Sequence, residues 1–151
     1  METNINAIID YYAKASIAFA GMFFEYREFN NKSIDRRTNP FYGGLVIPLI
    51  GNVSFTLNGT EYMIQPGVVA HAGPDMRVSI KGSDDKPWRL AVIHYLIPEN
   101  ERDRFPLFQN HFSFVTGENV KIPDLIQQLW ISQSTPGASA LFKTKLLFEQ
   151  R

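Results

Sequence analysis

Residues 51–67 read GNVSFTLNGTEYMIQPG, and this stretch decides the fold. Apolar and polar side chains alternate along residues 53–57 and 62–65, which is the pattern of β-strands with one covered face. The intervening Asn58-Gly59 favours a two-residue hairpin turn, because a type I′ turn requires positive φ at both central positions. Pro66-Gly67 then ends the second strand, since proline lacks a ladder donor and glycine allows a sharp reversal. The stretch predicts a β-hairpin within a sheet-rich domain.

Turn signals recur on both sides of this hairpin, about every 8–12 residues, which is the spacing of a β-sandwich or barrel. Pro48 interrupts the strand before the hairpin and predicts an edge or a bulge there. The strand that starts at residue 16 is apolar at both alternating sets of positions, which predicts cover on both faces. Residues 30–38 are polar and predict a loop. The remaining predicted strands are residues 45–50, 68–72, 76–81, 88–97 and 112–115.

The first residues of the chain differ from this β-rich block. Apolar side chains in residues 5–13 fall at helical spacing, and Asn4 is placed as an N-cap. This segment predicts a short helix or an ordered arm ahead of the first strand.

The composition limits the classes of function. The chain has 151 residues, enough for one domain with a core, and its 15 basic residues balance 15 acidic ones. A nucleic-acid-binding domain usually carries a basic excess, which is absent here. The sequence contains no cysteine, which excludes disulfides and thiolate sites and agrees with a cytoplasmic location. It also lacks an apolar run of about 18 residues, so no membrane partner is expected.

The C-terminal third predicts two helices, residues 124–133 and 138–151, joined by a short turn. The second helix reaches residue 151 without a glycine or proline stop signal, which leads us to expect a piece of a longer protein. Both helices carry more apolar side chains than packing on a small barrel requires, and a self-complementary apolar patch suits a two-fold interface. The alternative is that both helices lie flat on the barrel. The candidate dimerisation residues are Leu125, Leu129, Trp130, Leu141, Phe142 and Phe148.

The order of these parts resembles the N-terminal domain of AraC/XylS-family transcription regulators. The resemblance is carried by GGLVIPLIGNVSFTLNGTEYMIQPG (residues 43–67), WRLAVIHYLIP (residues 88–98) and the predicted helix pair. It implies a mainly β fold, a cupin-like jelly-roll or β-barrel in residues 1–118 with an N-terminal arm, followed by a helical hairpin in residues 119–151. It further implies that the barrel binds an effector, that the helices form a homodimer, and that DNA is bound through a C-terminal region with no counterpart in this sequence.

The strand 88–97 supplies the first candidate ligand-binding residues. Alternation places Trp88 and His94 on one face, together with Leu90, Val92 and Leu96, and places Tyr95 on the other. The Trp88 ring offers a surface on which a ligand can stack, and the His94 imidazole offers a hydrogen bond within an apolar wall. This combination suits a small-molecule site. The alternative is that Trp88 and His94 only fill the core.

Three further candidates are His71, after the Pro-Gly turn, and Tyr26 and Arg27 at the end of the first strand. A basic residue at a barrel mouth, Arg27 or the pair Arg36-Arg37, suits an anionic ligand, although a solvated surface charge explains it as well. Metal-dependent cupins resemble one another in a His-x-His pair with a later Glu and His. The three histidines of this chain include no such pair, so the sequence predicts no metal, no cofactor and no catalytic residue.

The sequence therefore predicts the effector-sensing and dimerisation domain of an AraC-like regulator, not an enzyme, with a sugar or a small organic acid as the effector. Two alternatives remain open at this point. One is a cupin-type isomerase or dioxygenase with a degenerate metal site, and the other is a carbohydrate-binding module.

Overall fold

The computed structural model describes residues 4–27 and 32–116. Within them lie one α-helix, nine β-strands and two short 3-10 helices, the latter at Glu99–Glu101 and Pro106–Gln109. In chain order the longer elements are α1 Ile5–Lys14, β1 Ala18–Arg27, β2 Ile34–Arg37, β3 Gly43–Ile50, β4 Val53–Leu57, β5 Thr60–Ile64, β6 Val68–Ala72, β7 Arg77–Gly82, β8 Trp88–Leu96 and β9 Phe112–Val115. The predicted helix pair, with its candidate dimerisation residues, lies outside the described residues.

The strands form two antiparallel sheets. The five-stranded sheet has the order β1-β8-β3-β6-β9, and the four-stranded sheet has the order β2-β7-β4-β5. Alternate residues of both sheets meet in one apolar cluster between them, which includes Val46, Leu90 and Val92 of the first sheet and Phe55 and Ile80 of the second. This arrangement is the cupin-like jelly roll, also called a double-stranded β-helix, that the sequence predicted.

The hairpin at residues 53–64 matches its prediction. Strands β4 and β5 pair from Val53↔Ile64 to Leu57↔Thr60. Asn58 and Gly59 have φ values of 47° and 86°, so both central residues occupy the positive-φ region that a type I′ turn needs. The Asn58 side chain also accepts a hydrogen bond from the backbone N–H of Arg77, at 2.9 Å. The turn is thereby tied to the neighbouring strand β7.

A second apolar cluster covers the outer face of the five-stranded sheet. It joins Ile8, Tyr11 and Tyr12 of α1 to Ile93 and Tyr95 of β8, which alternate along the strand with the residues of the inner cluster. The Asn4 side chain caps the helix by accepting a hydrogen bond from the N–H of Asn6. The segment that predicted a helix or an arm is therefore a helix packed on the barrel.

One sequence-based prediction about strands is wrong, and another holds only in part. Residues 34–37 of the predicted loop form β2, an edge strand whose side chains are mostly exposed, so no apolar alternation marks it. The first strand, β1, is covered on both faces in part: Met22 and Phe24 pack in the outer cluster and Phe23 packs against the inner one, whereas Tyr26 and Arg27 are exposed. Pro48 lies in a central strand, and the register of β3 against β8 shifts between Pro48 and Ile50, which is the predicted bulge.

Candidate functional site

A cavity of about 280 Å³ opens between the two sheets. Three adjacent strands of the five-stranded sheet bring Gly44, Ala72 and His94 side by side on its inner face. Small residues at two of these three positions leave room in front of the third. Inner-cluster residues such as Val46 and Phe55 also line the cavity, so it opens within the space between the two sheets.

The cavity lining divides into an apolar wall and a polar rim. The apolar side chains are Phe23, Val46, Phe55, Ala72, Val78, Ile80 and Val92. The polar side chains are Arg36, Arg37, Thr38, Asn39, Tyr42 and His94. An apolar pocket with a few convergent polar groups is the usual form of a small-molecule site, in which the polar groups set the ligand's orientation.

His94 stands between two aromatic rings. Its ring centroid lies 5.3 Å from that of Phe23 and 5.2 Å from that of Tyr42. Burial lowers the pKa of His94, and the positive charge of Arg36 lowers it further. The imidazole is therefore neutral near pH 7, with one ring nitrogen as a donor and the other as an acceptor. Neither His94 nitrogen makes a hydrogen bond with a residue that the structure describes.

Two arginines of β2 lie at the rim of the cavity and make different contacts. Arg36 forms an ion pair with Glu25 of β1, and its guanidinium carbon lies 5.9 Å from the centroid of the Phe23 ring. Arg37 is held by Asp75, with Nε 2.8 Å from Oδ1 and Nη2 2.9 Å from the backbone oxygen. Arg37 thus holds the rim against the turn before β7, whereas Arg36 faces the apolar wall.

The next part of the rim is fixed in the same way. The Thr38 hydroxyl donates to the Gly73 carbonyl at 2.9 Å and accepts from the Met76 N–H at 2.8 Å. The Asp75 N–H donates to the Asn39 carbonyl at 3.1 Å. These bonds hold the segment between β2 and β3 against the turn between β6 and β7, so one side of the cavity mouth is preformed.

His71 does not join His94 in this cavity. It lies on the opposite face of the same sheet, fully buried, with its ring stacked on Phe112 at a centroid distance of 4.5 Å. Its Nδ1 lies 2.9 Å from the Asn110 carbonyl and its Nε2 lies 2.6 Å from the Tyr95 hydroxyl. Burial lowers the pKa of His71 to about 4, so the ring is neutral. With both nitrogens engaged and the sheet between them, His71 and His94 cannot ligate one ion together.

Trp88, Tyr26 and Arg27 come together at the other end of the barrel. Arg27 pairs with Trp88 across the β1–β8 ladder, and all three residues line a shallow depression that also includes Arg89. Trp88 is 2% exposed and packs in the cluster between the sheets, as its face assignment predicted. Trp88 and His94 are six positions apart along the extended strand, a distance of about 20 Å.

Of the five predicted ligand-binding residues, the cavity therefore contains His94 alone. Arg36, one of the pair Arg36-Arg37 that the sequence marks as suiting an anionic ligand, also lines the cavity, as do Phe23 and Tyr42, which sequence reasoning did not select. Arg36 carried a signal, as a basic residue near a barrel mouth. Phe23 carried no signal, because which face of β1 turns inward depends on its pairing with β8, and Tyr42 carried none, because it lies between β2 and β3, outside any predicted strand. The predicted ligand-binding roles stay predictions.

The described ranges 4–27 and 32–116 contain no group of three or more His, Asp or Glu side chains that could hold a metal ion. Every helix in the same ranges falls short of the length and apolar character that a bilayer crossing requires.

No protein-family model matches this sequence, and no curated protein matches it at a significant level. Solved structures do match. ToxT from Vibrio cholerae O395, bound to (E)-4-(8-methylnaphthalen-1-yl)but-3-enoic acid, is 10% identical with a TM-score of 0.54, over 83% of this chain and 53% of ToxT. Apo ToxT K231A from V. cholerae strain SCE256 is 7% identical with a TM-score of 0.53, over 82% of this chain and 52% of ToxT. A de novo designed double-stranded β-helix is 14% identical with a TM-score of 0.43, over 50% and 99%.

This chain thus spans about half the length of ToxT. At these identities the likeness concerns the fold. The topology defines a cupin-like fold, and in this chain a cavity lies between its two sheets.

Proposed function

We propose that this chain is the effector-sensing domain of an AraC-like transcription regulator and that the cavity beside His94 binds a small organic acid with an apolar body. The observation that supports this most is the composition of the cavity, an apolar wall with Arg36, Tyr42 and His94 at one edge. We infer a binding role and not a catalytic one.

The chemistry of the rim favours an acid over a sugar. Arg36 supplies a guanidinium at the rim, and its fixed fork of N–H donors matches the geometry of a carboxylate. Neutral His94 adds a donor close to the same edge. A sugar would need polar partners around its whole ring, whereas seven of the side chains that line this cavity are apolar. A carboxylate at the rim with a hydrocarbon body against Phe23 and Phe55 satisfies both parts of the lining.

The regulator part of the proposal rests on the resemblance in sequence and on the likeness in fold to ToxT, an AraC-family regulator. The ToxT structure holds an aryl-substituted butenoic acid, a ligand with the same division into carboxylate and apolar body. The predicted helix pair, through Leu129 and Trp130 among others, would form the homodimer. DNA contact would come from a region outside this sequence, and the location would be cytoplasmic.

Calorimetry with three probes tests the binding site. We expect 1-naphthylacetate to bind with a measurable heat, the uncharged 1-naphthylacetamide to bind more weakly, and arabinose not to bind. His94→Ala should weaken the acid, because it removes a donor and part of the wall. Arg27→Ala is the matched control, an exposed arginine at the opposite end of the barrel, and should leave the affinity unchanged.

Two results would contradict the proposal. Equal affinity for the acid and the amide would mean that the rim does not recognise charge. Loss of binding in Arg27→Ala with retention in His94→Ala would place the ligand at the depression beside Trp88. Sedimentation equilibrium of the chain tests the dimer separately, and a monomer at all concentrations would refute it.

A further inference from the structure

The ion pair between Glu25 and Arg36 joins the two sheets. Glu25 belongs to β1, the outer strand of the five-stranded sheet, and Arg36 belongs to β2, the outer strand of the four-stranded sheet. The two strands are not hydrogen-bonded neighbours. The pair therefore bridges an open edge of the barrel, and it does so beside the cavity that Arg36 and Phe23 line.

The two side chains differ in their access to water. The Glu25 side chain is 16% exposed, and that of Arg36 is 39% exposed. Glu25 itself is absent from the cavity lining, whereas Arg36 is part of it. The guanidinium thus turns one side toward an internal carboxylate and another toward the space that a ligand would occupy.

Asp75, the acidic residue that holds Arg37 at the rim, is already engaged. Asp75 accepts from Arg37 and donates its N–H to Asn39, so its position is set by the rim itself. Glu25 is the carboxylate that faces Arg36. A guanidinium fork accommodates a carboxylate in paired geometry, and two carboxylates on one guanidinium repel each other.

We propose that Glu25 is a specificity-determining residue, an internal carboxylate that occupies Arg36 while the cavity is empty and that the carboxylate of a ligand displaces. The assignment rests on the proposed function, because it requires an acid in the cavity. An uncharged ligand does not compete with Glu25 and leaves the pair intact. An anion therefore binds only if its interaction with Arg36 is stronger than that of Glu25.

Displacement has a structural consequence. When the ligand's carboxylate takes over Arg36, the bridge between β1 and β2 is lost. The edge of the barrel is then joined by the ligand in place of the ion pair. Occupied and empty states differ at this edge, which provides the differential contact that a sensor requires.

Glu25→Gln tests the assignment with the same two naphthyl probes. The substitution keeps the shape of the side chain and removes its charge. We expect 1-naphthylacetate to bind about fivefold more tightly, the change that corresponds to a partly exposed ion pair of modest strength. The affinity for 1-naphthylacetamide should not change, which also verifies that the cavity is intact. Asp35→Asn is the control, because Asp35 is an exposed carboxylate next to Arg36 in sequence that does not line the cavity.

The failures can be told apart. If the wild-type chain binds the acid and Glu25→Gln gives no gain, or weakens it, the assignment of Glu25 is overturned and the proposed function stands. An equal gain in Asp35→Asn also overturns it, because the effect is then one of net charge. If no variant binds either probe, the proposed function falls and the assignment falls with it.

Discussion

The phenolic oxygen of Tyr95 lies 2.6 Å from Nε2 of the buried His71. The direction of this hydrogen bond follows from the other side of the ring, where Nδ1 lies 2.9 Å from the Asn110 carbonyl and must donate to it. Nε2 is then the acceptor and Tyr95 the donor. The Tyr95 oxygen in turn accepts from the Tyr11 hydroxyl, 2.6 Å away. One directed chain therefore connects α1, β8, β6 and the segment before β9.

The stability of the protein should fall as the pH is lowered from about 6.5 to about 4. The pKa of His71 is about 4 in the folded protein and about 6.5 in the unfolded chain, so the unfolded chain binds more protons between these values. The contribution is fully present above pH 6.5 and amounts to about 3 kcal/mol. Urea unfolding of the wild type and of His71→Gln at pH 7.0, 5.5 and 4.5 measures it. The free energy of unfolding of the variant should fall less over this pH range than that of the wild type. An equal fall in both proteins would contradict the low pKa of His71.

Removing the hydroxyl of Tyr95 should destabilise the fold more than removing that of Tyr11. Tyr95→Phe removes the hydrogen-bond partner of His71 Nε2 and that of the Tyr11 hydroxyl, and it should cost about 2 kcal/mol, whereas Tyr11→Phe should cost about 1 kcal/mol. The double variant should cost less than the sum, because Tyr95→Phe already removes the partner of Tyr11. Urea unfolding of the four proteins gives the cycle. The control Tyr26→Phe, at an exposed tyrosine, should change little, and strict additivity of the pair would refute a shared chain.

The titration of His94 should respond to the charge on Arg36. Burial lowers the pKa of His94 first, and Arg36 lowers it further, so Arg36→Gln should raise the pKa toward, but not above, its ordinary value. An NMR titration of the imidazole protons follows this directly. Arg27→Gln is the matched control and should leave the titration unchanged. A shift of the same size in both variants would mean that His94 senses net charge and not the neighbouring guanidinium.

Two glycines of the opening sequence stretch should differ in their response to alanine. Gly51 and Gly59 have φ values of +84° and +86°, so alanine is strained at both, by about 1 kcal/mol. A Cβ at Gly59 meets nothing within 4 Å, whereas one at Gly51 would lie 2.5 Å from the Pro87 carbonyl oxygen. Thermal unfolding should therefore show a clearly larger loss for Gly51→Ala. Equal losses would mean that the backbone near Pro87 gives way.

The sequence predicts the parts of this fold that local chemistry controls. Asn58-Gly59 determines its own turn, and alternation along β8 correctly separates the face of Trp88 and His94 from that of Tyr95. Strand β2 was missed because an edge strand with exposed polar side chains has no periodic signal.

Only part of the candidate site could be predicted, because its position depends on how the strands are arranged. Alternation predicts which face of the sheet a residue occupies, but it does not predict where along the barrel a cavity opens. Trp88 and His94 therefore share a face, although the space beside Trp88 is filled by packed side chains and the space beside His94 is open. Which strands are neighbours decides the rest. Phe23 and Arg36 meet His94 only because β1 pairs with β8 and β2 lies across the cavity from them.

The three central strands carry neighbouring residues with opposite surroundings. Gly44, Ala72 and His94 face the cavity, while the residues next to the last two, His71 and Tyr95, anchor the N-terminal helix on the far side. Positions 44, 72 and 94 can therefore be diversified as a set while the anchoring pair is kept. A library restricted to these positions would change what the barrel accepts without loosening the helix, which makes the scaffold a starting point for sensors of other ligands.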